Sequence, residues 1–413
     1  MSNALTPDIR FKGFADDWEQ CKLGDITTSY SGGTPTVGIK EYYGGDIPFI
    51  RSAEINSEYT ELFITEKGLN SSSARLVSKG DILYALYGAT SGEVGRAKLK
   101  GAINQAILAI RPIDNYDAEY LTQWLRKSKQ RIVETYLQGG QGNLSGSIIK
   151  ALIIDFPKYE EQKQIGVFSC HLDNLIALHQ KELEKLIDIK KSMLINMFPQ
   201  GDEKVPRIRF KGFSGDWNYP VLGTLGKTYT GLSGKTKEDF GHGDATYITY
   251  MNVFTNPITH SLQVDSIESD AMQNEVQEGD IFFTTSSETP EEVGMSSVLL
   301  AKSGTTYLNS FCFGYRLNEN VKIDKYYLAY LLRSPVVREK IVFLAQGISR
   351  FNISKTKMME IAIPVPEKTE EQEKIGAFFF NLDKLIEAQE KKTAQLKNIK
   401  SALLNKMFPK GDE

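Results

Sequence analysis

One short segment of the chain resembles a nucleotide-binding loop, but its residues do not complete the motif. The segment Gly231-Leu232-Ser233-Gly234-Lys235-Thr236 ends in the Gly-Lys-Thr of a loop whose backbone and lysine hold phosphates. The full pattern needs a glycine five residues before Gly234, and Tyr229 stands there instead. The segment therefore does not predict an NTP site.

The histidines and cysteines predict neither catalysis nor a metal site. The four histidines, His171, His179, His242 and His260, have no neighbouring ligand pattern, so we expect solvated or interface side chains. Cys21, Cys170 and Cys312 lie far apart, which excludes zinc spacing and is typical of a protein of the reducing cytoplasm. No hydrolase or metalloprotease signature occurs, and no Asn-Pro-Pro-aromatic run of adenine methyltransferases.

A long internal repeat determines the predicted architecture. The run Ile9-Arg10-Phe11-Lys12-Gly13-Phe14 recurs unchanged at residues 208–213, an offset of 199 that still holds at Gly80-Asp81-Ile82 and Gly279-Asp280-Ile281. Residues 160–203 align without gaps on 370–413, with 21 of the 44 positions identical. The chain therefore consists of variable, shared, variable and shared segments, and such a duplication predicts pseudo-twofold symmetry with the chain ends near each other.

The two shared segments are predicted to be long amphipathic helices. Apolar residues recur at three- and four-residue steps, and no proline interrupts residues 158–198 or 367–408. About 37 residues at about 1.5 Å each give a helix on the order of 55 Å long. We expect the two helices to pack together through twelve apolar positions: Leu172, Leu175, Leu183, Leu186, Met193, Met197, Leu382, Leu385, Leu396, Ile399, Leu403 and Met407.

The variable segments are predicted to be mixed α/β. Short runs rich in β-branched and aromatic residues, such as 47–50, 81–87 and 247–250, alternate with Gly, Ser, Asn and Thr. One helix is predicted in each segment, at 118–126 and 326–333. The fold class is therefore α+β: two globular mixed α/β domains separated by a pair of long antiparallel α-helices with coiled-coil character.

Overall charge does not favour a DNA-binding protein that acts alone. The formal net charge is −3, so any grip on nucleic acid needs local basic patches or phosphate contacts supplied by a partner. No apolar run approaches the length of a membrane span, and we expect no membrane association.

The chain resembles the specificity subunits of Type I restriction-modification enzymes over almost its whole length. The most specific elements are the exits from the variable segments: Asn143-Leu144-Ser145, Phe156-Pro157 and Glu160-Glu161-Gln162, and then Asn352-Ile353-Ser354, Pro364-Val365-Pro366 and Glu370-Glu371-Gln372. Ser31-Gly32-Gly33-Thr34-Pro35 and Tyr87-Gly88-Ala89-Thr90-Ser91-Gly92, followed by Asn104-Gln105-Ala106, are also typical. The second half departs from this pattern at Ser286-Ser287-Glu288-Thr289-Pro290, which leaves its contact residues less defined.

The resemblance implies four segments and a function in DNA recognition. Residues 1–157 and 204–366 would be target-recognition domains, each reading half of a bipartite site in double-stranded DNA, and 158–203 and 367–413 would be helical spacers. The spacers would dock two methyltransferase subunits, and motor-nuclease restriction subunits would join for cleavage. This chain would bind no cofactor, and its partners would hold S-adenosylmethionine, ATP and Mg²⁺ for adenine N6 methylation and cleavage.

Each recognition domain needs donors and acceptors for base edges and phosphates. For the first domain we predict DNA contacts by Lys40, Tyr42, Tyr43, Tyr87, Thr90, Ser91, Arg96, Gln141, Asn143 and Ser145. For the second we predict them by Ser233, Lys235, Lys237, Tyr250, Asn252, Ser287, Arg350, Asn352 and Lys355.

Several of these residues also have a structural interpretation. The two Asn-x-Ser runs are equally typical of helix caps, and Tyr42 and Tyr43 are equally suited to a core. The apolar stripe of each long helix could pack on its neighbouring globular domain instead of on the other helix.

Two other functions remain open at the level of sequence. One is an enzyme whose active site carries no familiar motif, and activity of the purified chain alone would support it. The other is a protein-interaction scaffold with two heads and no role in DNA recognition, for which no two-part motif would be enriched from random duplexes.

The spacer role predicts the effect of lengthening a helix. Inserting one helical turn, about 5.4 Å, near Lys185 is expected to change the gap between the two half-sites, because a helix lengthens by about 1.5 Å per residue. Methylome sequencing measures that gap. An unchanged gap would contradict the spacer role.

Overall fold

The computed structural model describes residues 6–137 and 143–409, which form two compact units. Unit 1 comprises residues 1–180 and 391–413, and unit 2 comprises residues 181–390. Each unit therefore holds one globular head together with part of each long helix. The boundaries of the four segments stay a prediction.

The described residues of the head of unit 1 form ten strands and three α-helices. Its strands are β1 Glu19–Lys22, β2 Thr27–Ser31, β3 Tyr43–Ile50, β4 Phe63–Ile64, β5 Arg75–Val77, β6 Ile82–Ala85, β7 Val94–Arg96, β8 Gly101–Ile103, β9 Ile107–Pro112 and β10 Ile153–Phe156. Its helices are α1 Glu66–Asn70, α2 Ala118–Leu137 and α3 Gly146–Ala151. The first long helix, α4, follows at Tyr159–Asn196.

The head of unit 2 is built from a similar set of elements. Its strands are β11 Gly226–Thr230, β12 Phe240–Ile248, β13 Val264–Ile267, β14 Ile281–Thr284, β15 Ser286–Ser287, β16 Ser296–Val298, β17 Thr306–Leu308, β18 Cys312–Leu317 and β19 Phe351–Asn352. Its helices are α5 Leu222–Leu225, α6 Tyr250–Thr255, α7 Lys325–Leu331, α8 Pro335–Phe343 and α9 Lys355–Met358. The second long helix, α10, spans Thr369–Met407.

The sheets show that the two heads share one topology. Unit 1 has an antiparallel sheet in the order β2-β9-β6-β7, and unit 2 has the corresponding order β11-β18-β14-β16. A second sheet in each head contains a parallel pair, β3 with β8 and β12 with β17. The α+β fold and its internal repeat are confirmed.

The repeated Gly-Asp-Ile sequence forms the same turn in both heads. Gly80 and Gly279 adopt φ angles of +96° and +94°, a region that favours glycine. The carboxylate of Asp81 accepts two hydrogen bonds from Arg111, at 2.8 and 2.6 Å, across the sheet. Asp280 accepts the matching pair from Arg316 at 2.8 and 2.7 Å. In each head a bidentate ion pair therefore links the start of one central strand to the neighbouring strand, β6 to β9 in unit 1 and β14 to β18 in unit 2.

The start of each long helix is tied to the start of its head by a second repeated ion pair. Arg10 donates to both carboxylate oxygens of Glu161 at 2.9 and 2.6 Å, and Arg209 does the same to Glu371 at 2.7 and 2.9 Å. Both glutamates are buried. The following glutamine is buried too: the Oε1 atoms of Gln162 and Gln372 accept from the backbone N–H of Asp117 and Asp324. The Glu-Glu-Gln run therefore joins the start of each long helix to its head.

The long helices are confirmed as continuous, at 38 residues for α4 and 39 for α10. Within unit 2 they run antiparallel, because Gln389 donates to Glu182 while Asp383 pairs with Lys190 further along α4. Within unit 1, Lys400 of α10 pairs with Asp173 of α4.

The end of each long helix fills the core of a head. Phe408 lies between Trp18 and Tyr120 in the core of unit 1, with ring centroids 6.3 and 5.2 Å away. Phe198 packs on Trp217 in the core of unit 2 at 6.5 Å. Each head is therefore completed by the end of a long helix, and in both units that helix comes from the other repeat.

One predicted strand ends earlier than expected. The run 247–250 is typical of a strand, but β12 ends at Ile248 and Tyr250 begins helix α6. The physical reason is that the Thr249 hydroxyl accepts a hydrogen bond from the Asn252 backbone N–H at 3.2 Å, which caps a helix at this point.

The helix ends predict a large, unit-specific loss of stability. Phe408→Ala is expected to lower the free energy of unfolding by about 3–5 kcal/mol, since it deletes a fully buried aromatic ring. Amide hydrogen exchange, followed by mass spectrometry, should lose protection first in unit 1 for this variant and in unit 2 for Phe198→Ala. Phe343→Ala is the control, because that ring is 88% exposed and its removal should cost less than about 0.5 kcal/mol. Equal effects for buried and exposed rings would contradict this assignment.

Candidate nucleic-acid interface

In unit 1 several predicted residues meet where β6 ends. The backbone N–H of Leu144 donates to Leu86 O at 2.9 Å, which brings the 143–145 segment beside Tyr87. Thr34 donates to Gln105 Oε1 at 2.7 Å, and Gln105 lies near the Tyr87 hydroxyl. Burial raises the pKa of Tyr87, so its hydroxyl stays a neutral donor. This edge carries an amide, two hydroxyls and the exposed Asn143, groups that match base edges.

Gln105 and Thr34 were not among the predicted contacts. Both lie inside motifs that are typical of the family, and that position was the available signal. Their pairing across 71 residues depends on the packing of two loops.

Other predicted residues of unit 1 have structural roles. Ser145 caps α3 by accepting from Ile148 N at 3.2 Å, and Tyr43 donates to Pro35 O at 2.6 Å from a half-buried position. Arg96 donates to Gly80 O at 2.7 Å and lies against Glu119, away from the Tyr87 edge. Thr90 and Ser91 form a turn, in which the Ser91 hydroxyl donates to Gly88 O at 3.0 Å.

Two further predicted contacts of unit 1 lie in one short 3₁₀ turn. Lys40 is exposed at its start, and Tyr42 is half-buried at its end. Gln141 lies outside the described residues.

In unit 2 three predicted residues line one cavity of about 440 Å³. Tyr250 forms one wall, where it stacks on Phe254 at 5.8 Å and donates to Ser286 O at 2.9 Å. Ser287 donates to Glu292 at 3.1 Å, and Arg350 lies at the rim. The cavity therefore combines an aromatic wall with a guanidinium and carboxylates.

Arg350 is held in place and keeps donors for a ligand. Its Nε and Nη2 donate to Ser286 Oγ at 3.2 and 3.0 Å. A guanidinium carries five N–H donors, so further donors remain. Glu288 and Glu292, which line the same cavity, were not predicted from the sequence because this stretch departs from the family pattern.

Asn252 is a correction. It was predicted to contact DNA, but its side chain is fully buried and its amide is saturated. Nδ2 donates to His260 O at 2.8 Å and to Gln263 O at 2.9 Å, and Oδ1 accepts from His260 N at 2.8 Å. Asn252 therefore stabilises a loop and does not belong to the interface.

The remaining predicted residues of unit 2 lie outside the cavity lining. Lys235 pairs with Asp270 at 2.9 Å, which raises the lysine pKa and holds the pKa of Asp270 at about 2. Ser233 and Lys237 are exposed on the same loop, and Asn352 is exposed in β19. The half-buried Lys355 lies 5.6 Å over the ring of Phe313.

The predicted helix stripe divides into three groups. The helix ends contribute Met193, Met197, Leu403 and Met407 to the cores of the heads, and these cores also contain residues from the start of the other long helix. Leu382 is buried, and Leu172, Leu183, Leu186 and Leu396 are half-buried. Leu175, Leu385 and Ile399 are exposed, at 39%, 57% and 50%.

Metal sites and membrane spans are absent from residues 6–137 and 143–409. No group of three or more His, Cys, Asp or Glu in that part of the chain is arranged to hold a metal ion. No helix there has the length and hydropathy needed to cross a membrane.

Known proteins resemble this chain in sequence and in fold. The chain is 29% identical over 428 residues to the Type I restriction enzyme MjaIX specificity subunit of Methanocaldococcus jannaschii, covering 95% of this chain and 92% of the relative. It resembles the crystal structure of the S subunit of a Type I restriction-modification system from M. genitalium with a TM-score of 0.62 at 18% identity, covering 98% of this chain and 100% of that chain.

The family profile matches both halves of the chain. The Type I restriction modification DNA specificity domain is found at residues 15–187 and again at 215–398, which agrees with the duplicated sheets. This chain belongs to the family of Type I restriction-modification DNA specificity subunits.

Proposed function

We propose that each head of this specificity subunit reads one half of a two-part DNA site. The observation that carries the proposal is the duplication: one sheet framework occurs twice, with different polar groups at the corresponding edges. The unit 1 edge offers Gln105, Tyr87 and Asn143, whereas the unit 2 cavity offers Arg350 and carboxylates. Amides suit adenine and a guanidinium suits guanine, so the two half-sites are expected to differ in sequence.

The two long helices provide the spacing and a partner surface in this proposal. α4 and α10 each belong to both units, so they connect the heads by continuous helix. Their exposed apolar residues include Val167, Leu178 and Leu385, at 54%, 53% and 57%. Exposed apolar surface of this kind favours protein partners. We propose that two methyltransferase subunits dock on it and that motor-nuclease subunits join through them.

The chemistry belongs to those partners in this proposal. They would hold S-adenosylmethionine, ATP and Mg²⁺, methylate adenine N6 and cleave unmodified DNA, while this chain selects the site. A duplicated chain suits two copies of one partner, because each repeat can offer an equivalent surface.

Methylome sequencing of cells with and without this chain, expressed with its methyltransferase partner, tests the proposal. A two-part methylated motif is expected to appear only with the chain. Exchanging residues 1–155 for the head of another family member should change one half of that motif, because each half is read by a separate unit.

Three outcomes would count against the proposal. No enriched motif would favour an interaction scaffold. Methylation or cleavage by the purified chain alone would favour an enzyme. A change in both halves after exchange of one head would contradict modular recognition.

Arg350 yields a sharper prediction about one base pair. Arg350→Ala is expected to relax the preference for a G·C pair at one position of one half-site, since a bidentate contact discriminates by about 1–3 kcal/mol, or about 5–150-fold. Selection from random duplexes by the complex with the methyltransferase measures the effect. Arg207→Ala is the matched control, because Arg207 is an exposed arginine paired with Glu203 outside the cavity. If the base preference is unchanged at every position of the half-site, Arg350 does not read a base.

A further inference from the structure

A basic groove lies in unit 1 between α2, α4 and α10. It has a volume of about 430 Å³, and its lining includes no residue of the Tyr87 edge. Most of the charged groups that line it are cations. The residues used below are Arg126 and Lys127 of α2, Asp173 of α4, and Lys397, Lys400 and Ser401 of α10.

One carboxylate in this basic groove pairs with two cations. Asp173 accepts from Arg126 Nη1 at 3.0 Å and also pairs with Lys400. Within residues 6–137 and 143–409, neither Lys127 nor Lys397 forms an ion pair. Four cations therefore face one carboxylate, which leaves an excess of three positive charges.

Lys127 is a partly buried cation that lies beside an aromatic ring. Its Nζ lies 5.4 Å over the ring of Phe408, and the side chain is half-buried. Burial and then the nearby Arg131 lower the lysine pKa. Asp155 opposes this effect from beyond ion-pair distance, but Lys127 has no ion-pair partner among the described residues, and a bound anion would stabilise its charge.

The repeat provides an internal comparison. Helices α2 and α7 correspond through Asp117 and Asp324, which donate to the equivalent glutamines. Counting from these anchors, Ser334 of unit 2 takes the place of Lys127, and the 210-residue offset puts Ile187 in the place of Lys397. Ser334 is fully buried and donates to Leu331 O at 2.6 Å.

Other parts of this arrangement are kept in unit 2. Lys190 still pairs with Asp383, as Lys400 does with Asp173, and Lys191 stands where unit 1 has Ser401. The counterpart of Arg126, Arg333, turns into the fold and donates to backbone carbonyls, among them Ser296 O at 2.7 Å and Val253 O at 2.8 Å. The cross-helix ion pair is thus common to both units, whereas Lys127 and Lys397 are particular to unit 1.

We propose that the basic groove of unit 1 binds a phosphate group, supplied by the backbone of the DNA that the head of the same unit reads. The assignment to DNA rests on the function proposed above. Lysines act as point charges for phosphate, and the Ser401 hydroxyl adds a hydrogen-bond donor.

Two observations favour DNA over an acidic protein segment. Helix α2, which supplies Lys127, is also joined to the turn that follows Tyr87 of the candidate edge, through the ion pair of Lys129 with Glu93. The chain as a whole carries a net charge of −3, so any phosphate contact that the chain itself makes needs a local cluster of cations such as this one.

The test uses the full chain in complex with its methyltransferase partner. DNA affinity is measured against salt concentration for Lys397→Gln and for the double variant with Lys127→Gln. Removing one phosphate-binding cation should reduce the slope of log K against log salt by about 0.9 on duplex DNA. The same decrease in affinity is expected on cognate and unrelated duplexes, with an unchanged methylation motif.

Lys185→Gln is the matched control, because Lys185 is an exposed lysine on the other long helix. Lys397 is also exposed, so its single variant separates the removal of a phosphate-binding charge from any disturbance caused by the Lys127 change. A second arm compares thermal unfolding of the chain in inorganic phosphate and in chloride at equal ionic strength. Phosphate should stabilise the wild type and not the double variant.

The outcomes separate the sources of the anion. A reduced slope, together with the disappearance of stabilisation by phosphate, supports the proposal, and stabilisation without a change of slope overturns the assignment to DNA. If the groove variants fail to assemble with the methyltransferase, the groove is instead a surface for an acidic protein segment. If the variants match the wild type in both arms of the test, the proposed anion site is overturned. If the wild-type complex binds no duplex, the proposed function fails, and the phosphate arm alone decides whether the groove binds an anion.

Discussion

The joint between each head and its long helix depends on one buried ion pair. Arg10 with Glu161, and Arg209 with Glu371, bond through both nitrogens and both oxygens. Breaking such a pair leaves a buried charge without compensation, which is more costly than the pair is stabilising. The Arg-Phe-Lys-Gly-Phe block and the Glu-Glu-Gln run recur together because each is one half of this joint.

Heads and spacers are not independent parts. The end of α10 places Phe408 in the core of unit 1, and the end of α4 places Phe198 in the core of unit 2. A long helix thus contributes to a head at each of its ends, and its direction is determined by packing as well as by covalent connection. A shift of the helix would therefore disturb the packing of the head.

Duplication followed by divergence explains the distribution of polar groups. The sheets and the Asp81 and Asp280 ion pairs are retained, since they stabilise each head. The loops at the sheet edges differ, and so do the cations beside the long helices. In unit 2 the Arg333 guanidinium donates to backbone carbonyls, while Lys127 in unit 1 has no ion-pair partner among the described residues. A framework can stay constant while its ligand groups change, because the two sets of residues lie on different elements.

The sequence by itself determined the repeat, both long helices, the α+β class and the family. These depend on local periodicity, on prolines that end helices, and on motif order, all of which act over neighbouring residues. Only the tertiary structure decided which polar side chains are free. Asn252 and Arg350 were equally good candidates, but a loop folds back on Asn252 and saturates it, while Arg350 keeps spare donors. Lys127 and Lys397 are 270 residues apart in the chain and become one charged groove only when α10 packs beside α2. The burial and the electrostatic environment of a side chain depend on neighbours that are distant in sequence, so a local sequence pattern does not predict them.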